Sequence, residues 1–194
     1  MMRVSNIRRT TRNFLKEDLY LVVEGEVDEI FVNKIVSFMS TRYNVRVRVA
    51  NGNGNIPIHV NILKKIYSYS KIMVLYDLDA SVNVEDIKRF LKNKQVTLKD
   101  DEIFFVNPCT EYLLVLVKEV NTNKFKNKRD YQELFKKYYG INEYAGHVPQ
   151  VEEMVNQLTF EDYNNFVDNL KKVSHDDNTL PSTNFIKFIE KIEK

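Results

Sequence analysis

Two acidic motifs, each directly after a hydrophobic stretch of strand length, are the features of this sequence best suited to chemistry. Residues 20–29 read YLVVEGEVDE and place four carboxylates within six positions, beginning at Glu24. Residues 71–80 read KIMVLYDLDA, in which Asp77 and Asp79 are two positions apart. Side chains two apart on an extended segment point the same way, so both aspartates can address one site. Crowded carboxylates repel each other unless they are solvated or hold a cation, and oxygen ligands of this kind suit Mg²⁺ or Mn²⁺.

The elements around these motifs predict an α/β fold. Strand-like runs at 19–23, 44–50, 71–76 and 102–106 alternate with helical periodicity at 29–39, 58–69 and 84–93. This alternation is typical of a mainly parallel sheet that helices cover on both faces. Because the carboxyl ends of parallel strands meet at one edge of the sheet, Glu24, Asp77 and Asp79 should lie close together there.

The second half of the chain predicts helices only. Candidate helices lie at 129–139, 149–158, 160–172 and 183–193, and no strand pattern follows residue 118. We therefore expect one domain over residues 1–194, with a core at 17–118 and a helical C-terminal extension at 119–194.

The segment at residues 107–117, NPCTEYLLVLV, predicts the start of a helix. Asn107 can cap the helix, Pro108 suits the first helical position, and Glu111 falls in the favourable first turn. An acidic residue there interacts favourably with the positive end of the helix dipole.

Composition excludes several classes of protein. With 43% hydrophobic and 29% charged residues among 194, the chain has the balance of a globular protein, and no apolar run approaches the ~20 residues of a membrane span. The N-terminus has no apolar core of signal-peptide length, so we expect a cytoplasmic protein. A single cysteine, Cys109, excludes an internal disulfide and is most simply a buried apolar residue. The three histidines show no paired ligand spacing, which argues against zinc.

Basic residues offer a candidate nucleic-acid interface. The net charge of +2 means that any such binding must come from a local patch rather than from overall charge. The candidates are Arg46, Arg48, Lys124, Lys126, Lys128 and Arg129. Basic residues interleaved with aromatic ones can follow a nucleic-acid backbone, although a solvated helix face explains the run equally well.

The ordered set of motifs resembles a known family. VVEGEVDE, followed about fifty residues later by an apolar strand ending in DLD, looks like the TOPRIM fold of topoisomerases, primases and OLD-type nucleases. NPCTEYLLVL and LPSTNFIKFIEKI resemble matching segments of its RloB-like branch, whose members belong to phage-defence and abortive-infection loci. The resemblance covers nearly the whole chain.

The resemblance implies a metal-dependent nuclease acting on DNA or RNA, with tRNA among the possible substrates, and an ATPase partner protein. Glu24, Asp77 and Asp79 would be catalytic and would hold Mg²⁺ or Mn²⁺. Related nucleases use a further acidic residue four or five positions after the first, which here would be Asp28 or Glu29. The resemblance makes Glu111 the candidate ligand of a second metal, and a role at the helix N-terminus stays open for it as well. Metal ions in such enzymes polarise the phosphate, activate water and stabilise the leaving oxygen.

One segment departs from the family pattern. RloB-like and OLD-type chains usually have a lysine in the segment that corresponds to YAGHVPQ, whereas this chain has Gly146 and His147 there. His147, or a lysine from residues 124–137, could take its place. Without such a residue, activity would be weak or absent.

Two other functions remain open. One is a TOPRIM module without catalysis, which binds nucleic acid or protein as the RecR recombination mediators do. The other is a phosphatase of the haloacid dehalogenase type, because IMVLYDLDAS also looks like the DxD strand of that family. There the first aspartate is the nucleophile and the second the acid/base.

The simplest alternative to a metal site is that the acidic residues have no chemical role. Asp28 and Glu29 would then lie at a helix N-terminus, where acidic residues are favourable, and Glu26 would be solvated.

Overall fold

The structure, a computed structural model, describes residues 16–68, 70–78, 82–121 and 128–194. Within these ranges the strands are β1 (Glu17–Val23), β2 (Tyr43–Val49), β3 (Lys71–Asp77), β4 (Ile103–Asn107) and β5 (Ser182–Thr183). The helices there are α1 (Glu26–Ser37), α2 (Ile56–Ile66), α3 (Val84–Asn93), α4 (Glu111–Leu116), α5 (Gln132–Tyr139), α6 (Val148–Asn156), α7 (Phe160–Leu170) and α8 (Phe185–Ile192). None of these helices has both the length and the apolarity needed to cross a membrane.

The strands form one sheet in the order β2-β1-β3-β4-β5, in which the first four strands run parallel and β5 runs antiparallel to β4. This confirms the predicted α/β class with a mainly parallel sheet. From β1 the chain crosses to β2 on one side and then returns to β3 on the other side of β1. In this strand order the crevice between the carboxyl ends of β1 and β3 is the topological switch point, where ligands of open α/β sheets bind.

Helices cover both faces of the sheet. Alternate residues of β1 point to opposite faces, so Leu19, Leu21 and Val23 join one core while Tyr20 and Val22 join the other. The first core includes buried residues of α1 and of α4 to α8, and the second includes those of α2 and α3. Each fully buried large apolar side chain contributes on the order of 1.5–3 kcal/mol to folding.

The C-terminal helices complete the larger core. The ring of Phe31 on α1 meets that of Phe166 on α7 edge to face, with centroids 5.5 Å apart, and Phe185 of α8 packs against both. The predicted helices at 149–158, 160–172 and 183–193 are confirmed as α6, α7 and α8. The one predicted at 129–139 is a short 3-10 turn (Lys128–Tyr131) followed by α5.

The prediction that no strand follows residue 118 is wrong, because β5 pairs with β4. A two-residue strand is too short to produce a periodic pattern in the sequence. Side chains in β5 and directly after it make much of the contact with β4. The Thr183 hydroxyl donates to the Phe105 carbonyl at 2.7 Å, and the Asn184 side-chain oxygen accepts from the Phe105 amide at 2.8 Å. These contacts satisfy the backbone carbonyl and amide of Phe105 on the edge of β4, where a longer strand would otherwise pair.

The predicted helix start at Asn107 and Pro108 is also wrong. Asn107 is the last residue of β4, and α4 begins at Glu111 with Thr110 as its N-cap. The Asn107 side-chain amide donates instead to the carbonyl oxygens of Asp177 and Thr179, at 3.1 Å each. These tertiary contacts hold the side chain at the end of β4, and its oxygen makes no capping hydrogen bond within the described residues. Glu111 does lie in the first turn, as predicted.

Candidate functional site

An acidic cavity of about 350 Å³ lies at the switch point. Glu24 follows β1, Asp28 lies in the first turn of α1, Asp77 ends β3 and Glu111 begins α4. These four carboxylates and the more exposed Glu26 line the cavity, and none of its described lining residues is a lysine, arginine or histidine. The chain thus brings four of the predicted site residues together from separate segments.

The carboxylate of Asp28 is fixed by two neighbours. Asp28 is 4% exposed, and the backbone N–H of Gly25, the N-cap of α1, donates to its Oδ2 at 2.8 Å. The hydroxyl of Thr110 donates to its Oδ1. The first of these contacts is the helix-capping role proposed as the simplest alternative for Asp28. The second ties the same carboxylate to the beginning of α4, so Asp28 also belongs to the cavity.

Asp77 is buried among the other carboxylates of the site. The Thr110 backbone N–H donates to its Oδ2 at 3.2 Å, and the Thr110 hydroxyl oxygen is 3.2 Å from its Oδ1. Burial raises the pKa of Asp77 well above its usual value, and the negative charges of Asp28, Glu111 and Glu24 raise it further. The hydrogen bond from Thr110 opposes this shift. The ionised form of Asp77 is therefore costly unless a positive charge enters the cavity.

Glu111 forms the inner wall of the cavity. It is 1% exposed, and its Oε1 accepts a hydrogen bond from the Tyr144 hydroxyl at 2.8 Å. Burial raises the pKa of the neighbouring Cys109 thiol, and the charges of Glu111 and Asp77 add to the effect. Cys109 is buried, as predicted, and stays a thiol rather than a nucleophilic thiolate.

The donor chemistry fits a hard divalent cation, since carboxylate oxygens are the ligands that Mg²⁺ and Mn²⁺ prefer. The candidates that line the cavity are Glu24, Asp28, Asp77 and Glu111. As placed, no three or more acidic, histidine or cysteine residues within the described ranges converge closely enough to hold a metal. Asp79 lies outside the described residues.

Glu29 is placed differently from the other predicted metal ligands. It is half-buried in the first turn of α1 and is not among the described residues that line the cavity. Successive helical residues point in different directions, so the neighbouring Asp28 faces inward while Glu29 does not.

Of the predicted basic residues, only Arg46 and Arg48 have described side chains, and neither lines the cavity. Arg46 and Arg48 project from the edge strand β2, where Arg46 donates to Asp18 at 3.2 Å and Arg48 lies 5.8 Å from the ring centroid of Tyr20. Lys124 and Lys126 lie outside the described residues. Lys128 and Arg129 begin the 3-10 turn before α5, where only the backbone is described.

Several contributors to the site escaped the sequence analysis. Thr110 bonds two of the carboxylates, and its adjacency to Glu111 was the only local signal. From the segment YAGHVPQ, Val148 lines the cavity and Tyr144 donates a hydrogen bond to Glu111. His147, the proposed substitute, is exposed and is the N-cap of α6. It is not among the described lining residues.

The fold and site define an α/β protein with an acidic crevice at its topological switch point. No protein-family model matches the sequence, and no curated protein matches it. Among solved structures, the chain is similar to the C-terminal region of the Burkholderia pseudomallei OLD protein. That similarity has a TM-score of 0.47 and 12% sequence identity, and it covers 82% of this chain and 98% of the other.

Proposed function

We propose that this chain is a Mg²⁺- or Mn²⁺-dependent nuclease that hydrolyses phosphodiester bonds in DNA or RNA. The observation that carries the proposal is that Glu24, Asp28, Asp77 and Glu111, from four separate elements or loops, line one cavity at the switch point. The order of the acidic motifs, which resembles that of TOPRIM nucleases, supports the same chemistry.

The charge of the cavity requires a cation before any phosphate can approach. Five acidic side chains line it, and no basic side chain among its described residues offsets them. An anionic phosphodiester would be repelled by this field, and the repulsion is strong where burial lowers the effective dielectric constant. A divalent cation removes the repulsion and favours the ionised form of Asp77, so metal and substrate binding are coupled.

The roles of the residues follow from their positions. Glu24, Asp28, Asp77 and Glu111, together with Asp79, are the groups that we assign to metal binding. When bound, the metal supplies charge stabilisation to the phosphate and lowers the pKa of its water. Thr110 orients Asp28 and Asp77 through its hydroxyl and amide, and Tyr144 orients Glu111. Glu24, on the loop after β1, is assigned to metal binding or proton transfer.

The wider setting is part of the proposal. The resemblance to RloB-like proteins supports a role in antiphage defence in the cytoplasm, with an ATPase as partner protein and DNA or RNA, tRNA included, as substrate. The basic residues between 124 and 129 would hold the nucleic-acid backbone through phosphate contacts.

A second candidate function is a TOPRIM module that binds nucleic acid or protein without cleaving it. Two observations favour it. The segment at 144–150 has no lysine, and within the described ranges no three metal-ligating side chains converge. Such a protein would bind nucleic acid equally well in EDTA and in Mg²⁺.

The deciding experiment incubates purified protein with DNA and with total RNA in Mg²⁺, Mn²⁺ or EDTA. The nuclease proposal predicts cleavage that requires metal and that is nearly abolished in Glu24→Gln. Glu17→Gln is the matched control, because it removes one carboxylate from the opposite, exposed end of the same strand. Binding without cleavage under every metal condition would favour the non-catalytic module.

Calorimetry with Mn²⁺ tests the metal site separately. Wild type should bind Mn²⁺, while Asp77→Asn and Asp79→Asn should bind it much more weakly, because each keeps the side-chain shape and loses a charged ligand. Circular dichroism verifies that each variant is folded. Equal Mn²⁺ binding by wild type and both folded variants would show that the aspartates do not share a metal site.

A further inference from the structure

Helix α2 exposes a row of apolar side chains that have no part in the acidic cavity. Ile58, Ile62 and Ile66 are four positions apart and are 55%, 47% and 63% exposed. Residues at this spacing share one side of a helix, here the side away from the buried Val60 and Leu63. Single exposed apolar residues are ordinary, but a row of three forms a patch typical of interaction surfaces. We call this row the α2 stripe.

The two flanks of α2 have different neighbours. On one flank the Asn61 side chain donates to the carbonyl of Lys94, the C-cap of α3, at 3.2 Å. Lys64 donates to the Thr97 carbonyl at 2.6 Å on the same flank, which therefore faces α3. With about 3.6 residues per turn, the second and third isoleucines of the α2 stripe turn toward the opposite flank. Because α2 packs on β1 and β3, that flank borders the edge strand β2.

The face of β2 beside this flank is uncovered in the described part of the chain. Arg46 and Arg48 are in register with Tyr20 and Val22 of β1, which pack beneath α2, so all four side chains point to the same face of the sheet. Both arginines and Asn44 are exposed, and no described residue of β2 belongs to the core beneath α2 and α3. The helical layer on this face therefore covers β1, β3 and β4 and stops before β2. We call the exposed side chains of β2 the open face.

The surface formed by the α2 stripe and the open face is positively charged. Arg46 donates to Asp18 at 3.2 Å, and Arg48 lies 5.8 Å from the ring centroid of Tyr20. Lys65, exposed in the last turn of α2, adds a third cation beside the α2 stripe. Among these residues one carboxylate offsets three cations. An occupant that complements the surface must therefore combine apolar side chains with acidic ones.

We propose that this surface binds an amphipathic helix of a partner protein, apolar along one side and acidic along the adjacent side. Such a helix would continue the layer of α2 and α3 over the last strand, with its axis about 8–10 Å from that of α2. Its apolar side would cover the α2 stripe, and its acidic side would meet Arg46 and Arg48. The inference does not depend on the proposed nuclease, since none of these residues lines the acidic cavity.

Other occupants complement the surface less well. A second copy of this chain, paired about a two-fold axis, would bring the same cations together. Residues 1–15 contain four arginines and no acidic residue, so they carry the wrong charge. A nucleic-acid backbone would neutralise the arginines but would leave the isoleucines in water. The surface therefore favours an acidic amphipathic protein segment.

The test is an NMR titration of the full chain with a synthetic peptide of about 15 residues, long enough to form a helix. The peptide has leucines along one helical side and glutamates along the adjacent side. Saturable binding should shift the backbone amide signals of Ile62, Ile66, Arg46 and Arg48. The signal of Phe160, on the other face of the sheet, should not move. A peptide of the same composition, in which leucine and glutamate alternate as in a strand, should bind about tenfold more weakly.

Two double variants separate the apolar and the charged parts of the surface. Ile62→Asn with Ile66→Asn removes apolar contact, and Arg46→Glu with Arg48→Glu replaces attraction by repulsion. Each should weaken binding of the helical peptide by about tenfold or more. The affected side chains are exposed, so both variants should fold, which circular dichroism verifies. If one of them does not fold, the other decides.

Matched controls alter the same chemistry elsewhere. Phe160→Asn removes an apolar side chain that is 58% exposed on the other face of the sheet. Arg89→Glu with Lys92→Glu reverses two exposed cations on α3, across α2 from the open face. Both controls should leave the affinity for the helical peptide unchanged.

Saturable binding that both double variants weaken and both controls preserve would support the inference. An absence of saturable binding by the helical peptide would overturn it. Equal binding of the alternating peptide would overturn it as well, because the free edge of β2 would then be pairing with a strand. Vesicles of phosphatidylcholine with about 30% phosphatidylserine test a membrane as the occupant. Vesicle binding that is lost in Ile62→Asn with Ile66→Asn, without any binding of the helical peptide, would assign the surface to a membrane instead.

Discussion

The backbone amide of Thr110 donates a hydrogen bond to the Asp77 carboxylate at 3.2 Å, which joins the start of α4 to the end of β3. The hydroxyl of the same threonine donates to Asp28 in the first turn of α1. One residue therefore connects three segments of the site, and it holds two like-charged groups in place. Its removal should affect both folding and function.

We expect Thr110→Val to destabilise the fold by about 1–3 kcal/mol, the usual cost of leaving a buried acceptor unsatisfied. Valine keeps the shape and loses only the hydroxyl. Urea unfolding monitored by circular dichroism provides the measurement. Thr110→Ser is the control, since it keeps the hydroxyl and should stay much closer to wild type. Equal stability of the valine variant and wild type would mean that the hydroxyl does not stabilise Asp28.

The raised pKa of Asp77 predicts a pH dependence of stability for the metal-free protein. Its folded pKa lies above the unfolded value of about 3.9, so between the two values the folded state binds more protons than the unfolded state. The free energy of unfolding therefore falls as pH rises through that window. Because asparagine cannot ionise, Asp77→Asn should flatten this dependence and raise stability above the window.

Thermal unfolding in EDTA at several values between about pH 5 and pH 8 tests this prediction. Asp168→Asn serves as the control, because Asp168 is an exposed aspartate on α7 whose partner is Lys171. Mn²⁺ should reduce the amount by which Asp77→Asn is more stable than wild type, since wild type gains more stability by binding the ion. If the stability of Asp77→Asn depended on pH in the same way as that of wild type, ionisation of Asp77 would not lower the stability of the folded protein.

The nuclease and phosphatase hypotheses predict different effects at Glu24. In a nuclease, both Glu24→Gln and Asp77→Asn should nearly abolish phosphodiester cleavage. In a phosphatase of the haloacid dehalogenase type, Glu24→Gln should still hydrolyse a simple phosphomonoester, whereas Asp77→Asn should not, because Asp77 would be the nucleophile. Assays of both ester types on both variants make the distinction. Monoester hydrolysis that tolerates Glu24→Gln, with nucleic acids left intact, would overturn the nuclease assignment.

Replacing Lys124, Lys126 and Lys128 by alanine should weaken nucleic-acid binding regardless of sequence. Each lost phosphate contact should make the slope of log affinity against log salt shallower by about 0.9 for duplex DNA, through reduced counterion release. Fluorescence anisotropy at several salt concentrations measures this slope. The control replaces Lys65, Lys94 and Lys99, which removes the same charge from the amino-terminal edge of the sheet. Identical slopes for both triple variants would show that the 124–128 segment is only a solvated loop.

Much of the architecture could be predicted from the sequence because its signals are local. The runs at 19–23, 71–76 and 102–106 are strands because they are apolar over strand length, and Val45, Val47 and Arg46 alternate as an edge strand requires. Helix α4 was misplaced by three residues because Asn107 and Pro108 carry a local helix-start signal. Partners about seventy positions away override that signal.

The sequence by itself determined the acidic motifs, the order of strands and helices, and the edge of the sheet to which Glu24 and Asp77 belong. Those features depend on residue type and on spacing within a few positions. Only the tertiary structure placed Thr110 between Asp28 and Asp77, set Tyr144 against Glu111, and turned Glu29 away from the cavity. Contacts between segments tens of residues apart depend on how helices pack across the sheet, and no local pattern records that packing.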